Sequence, residues 1–137
     1  MTALIDTSFL LALTDRSDRN HTRVLDIAPT INYTLVLPVV VLPEICYLIA
    51  SRLGHTAMRR FIVEVSRSDT RLEAISKTDL HRIGEILEQY ADSRLDLVDA
   101  SIIAIAEREN ITRILTLDRR DFSIIRPRHC DYFELLP

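Results

Sequence analysis

Glycine is nearly missing from this chain. Only Gly54 and Gly84 occur in 137 residues, so neither a Gly-rich phosphate loop nor a dinucleotide-binding fingerprint can be written, and there is no GxSxG nucleophile elbow. Cysteine is scarce as well. Cys46 and Cys130 are too far apart for a CxxC pair; Cys46, inside an apolar stretch, reads as a small core residue, and Cys130 beside His129 makes too small a donor set for zinc. The four histidines show no metal-ligand spacing. Aromatic residues make up 6% and form no base-stacking platform. No apolar run approaches the roughly 18 residues of a membrane helix, and the start meets Asp6 without a basic region, unlike a signal peptide. A cytoplasmic location is the expectation.

What remains describes one ordinary globular domain, residues 1–137, with 47% hydrophobic and 27% charged residues. Such a length buries roughly two thirds of the unfolded surface in a single core. Lysine is replaced by arginine: Lys77 is the one lysine among 17 basic residues. That bias suits planar, bidentate phosphate contacts, and equally a GC-rich coding sequence.

Periodicity alternates between strands and helices. Thr2–Ile5, Thr34–Leu37, Arg71–Ile75, Arg113–Leu117 and Tyr132–Leu135 read as strands. Helices are expected from Thr7 or Ser8 to Leu13, over His21–Ala28, through Glu44 to a stop at Gly54, and over Thr56–Val65, Thr78–Tyr90 and Asp96–Glu109. This alternation predicts a three-layer α/β/α sandwich around a mainly parallel sheet.

Four acids interrupt the most apolar segments. Asp6 and Asp118 each end a predicted strand, where ligands of parallel sheets bind; Glu44 and Asp99 sit in the two most apolar helices. Each acid alone has an ordinary explanation as a cap or a dipole partner. Together, on four separate buried elements, they predict one shared site, because isolated buried carboxylates are costly. Discounting their charge turns the net −3 into a small positive value. Clustered carboxylates repel, and a hard cation removes that cost; oxygen-only donors point to Mg²⁺ or Mn²⁺ and to phosphodiester hydrolysis.

These residues carry a resemblance. Leu4-Ile5-Asp6-Thr7-Ser8, Pro43-Glu44-Ile45-Cys46-Tyr47-Leu48, Leu97-Val98-Asp99-Ala100-Ser101-Ile102-Ile103-Ala104 and Ile114-Leu115-Thr116-Leu117-Asp118-Arg119-Arg120-Asp121-Phe122 follow one another as in a PIN-domain protein. The chain most resembles the VapC toxins of toxin–antitoxin pairs. The resemblance implies a Mg²⁺- or Mn²⁺-dependent endoribonuclease acting on RNA, a small cognate antitoxin and a homodimer. It makes Asp6, Glu44, Asp99 and Asp118 the catalytic and metal-binding quartet, with Thr7, Ser8 and Thr116 hydrogen-bonding it. Asp96, and less so Asp92, stands close enough to Asp99 to join the metal site. Pro43 either starts or kinks its helix and leaves the aim of Glu44 open. Arg119 and Arg120 are candidates for RNA phosphates, or else a solvated turn; Arg126 and Arg128 are weaker ones. Two rival readings stay open: another metal-dependent phosphoryl hydrolase, although Ser8 stands where a haloacid-dehalogenase type would need a second Asp, and a catalytically silent PIN binding module.

Overall fold

A computed structural model describes all residues from Met1 to Pro137. Five parallel strands form one sheet: β1 (Thr2–Ile5), β2 (Thr34–Pro38), β3 (Arg71–Glu73), β4 (Arg113–Leu115) and β5 (Glu134–Leu136), in the order β3-β2-β1-β4-β5. The helices are α1 (Thr7–Thr14), α2 (His21–Ile27), α3 (Val41–Leu53), α4 (His55–Arg67), α5 (Lys77–Gln89), α6 (Leu97–Glu109) and α7 (Arg119–Ser123). Single 3₁₀ turns stand at Ala28–Thr30 and Ala91–Ser93.

Strand order places the helices. The chain moves outward from β1 to β2 to β3, so right-handed crossovers lay α1–α4 on one face. It then returns past β1 to β4 and β5, which lays α5–α7 on the other face. The expected sandwich is the one found. The direction of travel reverses between β1 and β4, and a crevice opens there at the carboxyl ends of both strands. Leu4 pairs with Ile114 and Ile5 with Leu115, so the residues after each strand emerge side by side.

The core explains the firmness of this edge. Ala3, Leu4, Val36, Ile114 and Leu115 are wholly buried, and α6 buries every residue from Ala100 to Ala106. By contrast α4 is strongly amphipathic and wholly peripheral: Met58, Phe61 and Val65 pack partly on the core, whereas Ile62 is exposed.

Several local expectations change. β3 ends at Glu73, two residues early, and β5 runs over Glu134–Leu136 in place of Tyr132–Leu135. β4 ends at Leu115, two residues early, and the chain turns through Thr116 and Leu117 into the short helix α7. Cys46 is half-buried and lies beside the core, which α3 enters through Val41, Ile45 and Ile49. Pro43 falls in the first turn of α3, where its missing N–H has no intrahelical acceptor to lose. It is the third residue of a helix that begins at Val41 and runs on to Leu53.

Candidate active site

Asp6 leaves β1 and caps α1. Its Oδ1 accepts the Thr7 N–H at 2.8 Å, while Oδ2 accepts the hydroxyls of Ser8 at 3.0 Å and Thr116 at 2.7 Å. Both hydroxyls are fixed from behind. Leu117 N–H donates to Ser8 Oγ at 3.0 Å and Asp118 N–H to Thr116 Oγ1 at 2.9 Å. Each hydroxyl thus accepts from the β4–α7 turn and spends its one proton on the same carboxylate oxygen. Asp6 is only 5% exposed. Burial raises its pKa, against the pull of these three hydrogen bonds, and the charge of Asp118 raises it further.

Asp96 and Asp99 open α6 as a capping box, Asp96 at the N-cap and Asp99 at the third helical position. Asp99 N–H donates to Asp96 Oδ1 at 2.8 Å, and the return bond from Asp96 N–H to Asp99 Oδ2 is long, 3.4 Å. The Asp99 carboxylate is therefore weakly occupied by the cap. Burial pushes its pKa up to about 8, with the charges of Asp96 and Asp6 adding to the effect. Such a group holds a proton that a cation would displace.

Glu44 projects from the first turn of α3, and Asp118 caps α7, accepting Asp121 N–H at 3.2 Å. Asp6, Glu44, Asp99 and Asp118 line one cavity of about 350 Å³ together with Thr7, Ser8, Asp96 and Asp121. Thr116 stands behind its wall, bonded to Asp6. All four quartet members are brought together, and so is Asp96; Asp92 is exposed on the preceding 3₁₀ turn and does not line the cavity.

The basic candidates fare differently. The Arg119 guanidinium is bonded to the carbonyls of Leu135 and Pro137, so it anchors β5 and does not face the cavity. Arg120 is exposed beside Asp121, whose carboxyl it pulls down against a larger upward push from burial and Asp118. Arg126 and Arg128 do not line the cavity, and their backbone N–H groups donate to the Tyr90 hydroxyl and the Glu107 carboxylate. The one cation lining the acidic cavity is Arg94, which holds a left-handed backbone at φ 56°.

Sequence reasoning passed over Asp121 and Arg94. A signal existed for Asp121: the spacing Asp118-x-x-Asp121 repeats Asp96-x-x-Asp99, so both helix starts carry the same pair of acids. Arg94 has no such signal, because its place depends on the turn preceding α6.

The donor set suits a hard divalent cation. All lining ligands are carboxylate or hydroxyl oxygens. Thr7 Oγ1 is buried in this wall without a hydrogen-bond partner, a polar atom that a hydrated cation would satisfy. The carboxylates converge without closing into a cage, and no three His, Cys, Asp or Glu side chains stand at ligand spacing.

Residues 3–126 match the PIN domain family. Ribonuclease VapC26 of Mycobacterium tuberculosis is 32% identical over 134 residues, spanning 98% of this chain and 99% of that protein. Among solved structures, the sarcin–ricin-loop-cleaving toxin VapC20 of Mycobacterium tuberculosis superposes with a TM-score of 0.84 at 22% identity, over 93% of this chain and 98% of its own. A toxin–antitoxin complex from Klebsiella pneumoniae gives 0.69 at 21% identity, over 90% and 92%.

Proposed function

Since the chain belongs to the PIN-domain family and is akin to VapC proteins along nearly its whole length, we propose that it is a metal-dependent endoribonuclease toxin neutralised by a cognate antitoxin. The observation that carries this reading is the meeting of Asp6, Glu44, Asp99 and Asp118 in one cavity at the sheet's switch point. Asp6 and Asp99 would be the principal holders of Mg²⁺ or Mn²⁺, with Glu44 and Asp118 completing the set and Asp96 assisting. Bound there, the cation would lower the pKa of the attacking water and neutralise charge on the scissile phosphate.

The protein's own share is positional. Thr116 and Ser8 hold the Asp6 carboxylate in one orientation, since each hydroxyl is itself fixed by a backbone N–H. The capping box orients Asp99 through α6, the most deeply buried helix. Rigid elements thus aim all four acids, and Asp99, whose pKa burial and like charge raise to about 8, would give up any bound proton to a cation.

An antitoxin and a second toxin copy both need surface to cover. Tyr47 (72% exposed), Leu53, Ile62 and Val63 present apolar area on α3 and α4, which supports such partners. No helix of the chain is long and apolar enough to cross a membrane.

The test is cleavage of cellular RNA by purified protein in millimolar Mg²⁺ or Mn²⁺, with RNA ends sequenced for wild type and Asp6→Asn. Discrete cuts that need both the metal and Asp6 are expected. Cuts that persist in EDTA, or in Asp6→Asn, would overturn the reading.

A further inference from the structure

A second cavity of about 390 Å³ adjoins the acidic one and shares Ser8, Leu11 and Asp118 with it as a common wall. Its other side is built by Asp18, Arg19 and Asn20 of the α1–α2 loop and by Arg52 in the last turn of α3. The surrounding carboxylates are already engaged. Asp18 Oδ1 accepts Asn20 N–H at 2.8 Å, and the buried Asp15 accepts the Ser17 N–H and hydroxyl at 2.9 and 2.7 Å.

The two guanidiniums are not. Five other arginines of this chain (Arg71, Arg82, Arg108, Arg113 and Arg128) are in ion pairs. Arg19 and Arg52 form none and make no hydrogen bond; Arg52 stands only near enough to Asp15 to help hold its carboxyl below the usual range. The Asn20 side chain is free too, since it caps α2 without a side-chain bond.

A polyanionic strand entering the acidic cavity meets a difficulty there. A cation offsets the charge around the scissile phosphate, but neighbouring phosphates remain beside six carboxylates, with Arg94 as the one basic lining residue. Counter-charge for them has to come from outside that cavity. We infer that the second cavity is a subsite for the RNA phosphodiester group flanking the scissile bond, with Arg19 and Arg52 as its donors. The subsite rests on the ribonuclease reading and fixes the path of the RNA: across Ser8 and Asp118, toward the C-terminal end of α3.

The experiment uses a single-stranded RNA oligonucleotide spanning a cut mapped with wild type. Steady-state cleavage is followed at several salt concentrations for Arg19→Gln, Arg52→Gln, the double variant, Arg52→Lys, and Arg67→Gln, at the exposed end of α4 and lining neither cavity, as a control. The double variant is expected to raise KM about tenfold while kcat stays within about twofold. Its salt slope should fall by about 1.4, as for two lost single-strand phosphate contacts. Arg52→Lys should recover part of the KM, and Arg67→Gln should match wild type. If the double variant melts early, the single variants and Arg52→Lys carry the comparison. Unchanged KM and salt slope alongside active wild type would overturn the subsite alone. Wild type that cleaves no RNA would remove the ribonuclease reading and the subsite with it.

Discussion

Asp99 and Asp6 are both raised in pKa, and the two differ in what replaces their charge. Asp99 meets like charge from Asp96 and Asp6 and only one long hydrogen bond. A carboxyl raised to about 8 in the fold, against 3.8 as its ordinary value, is protonated natively where the unfolded chain has already lost its proton. The native state then binds more protons than the unfolded one, so its stability falls as pH rises from about 4 to about 8. Asp99→Asn removes that dependence. In EDTA at pH 8 the variant should be more stable than wild type, by roughly 1–2 kcal/mol once solvent screening of a half-buried group is allowed for. At pH 4 the two should differ little, and RNA cleavage should fall at least about a hundredfold. Urea melts at the two pH values check this, and a variant less stable than wild type at pH 8 would show that Asp99 is held by native contacts. Asp6→Asn should gain no such stability. Its Oδ1 still caps α1, but an amide at Oδ2 faces two hydroxyls already oriented to donate.

At the level of elements, Asp118 serves two purposes that a pair of substitutions separates. It caps α7 through Asp121 N–H, and its carboxylate lines the acidic cavity. Asp118→Ser keeps a capping oxygen without the charge, whereas Asp118→Ala removes both. Cleavage should collapse in both variants. Stability should fall by about 1 kcal/mol only in the alanine variant, as for a lost N-cap; equal stability losses in the two would show that the cap contributes nothing here. The same element marks where the sequence stops being legible. The strands β1 and β2, the helices α3, α5 and α6, and the Asp96–Asp99 capping box follow from apolar periodicity and cap spacing, which are local signals. Arg-Arg-Asp-Phe-Ser has no period of its own, and α7 exists because Asp118 caps it and Phe122 is fully buried. The early end of β4 has a similar origin, since the Leu117 N–H is drawn to the Ser8 hydroxyl across about a hundred residues of chain. Arginine use divided in the same way. Composition alone left phosphate contact open as the reason for the bias, yet Arg82–Glu107 at 2.7 Å and Arg108–Asp79 at 3.0 Å hold α5 and α6 together with it, and Arg119, beside the site in sequence, turns to β5. Which arginines stay free for a ligand is settled by partners distant in the chain.

For the whole molecule, a site of converging carboxylates is a source of instability that a bound cation reverses. Six acids surround the cavity, all on elements anchored in the core, so they cannot move far apart without unfolding. A cation that binds the native state alone raises stability by mass action, about 2.7 kcal/mol at a hundred times its Kd, which corresponds to roughly 5–10 °C for a chain of this size. The gain must depend on pH. At pH 8 Asp99 is about half ionised and a cation meets little competition from protons; at pH 5 the cation has to displace a proton held with a pKa of about 8. A metal titration followed by melting temperature should therefore give a rise of several degrees at pH 8 and a much smaller one at pH 5. Asp99→Asn should flatten both, while Arg52→Gln, outside the acidic cavity, should leave them as in wild type. Equal rises at the two pH values would mean that the cation enters without engaging Asp99, and the assignment of that residue as a principal ligand would fall even if the metal dependence of cleavage stood.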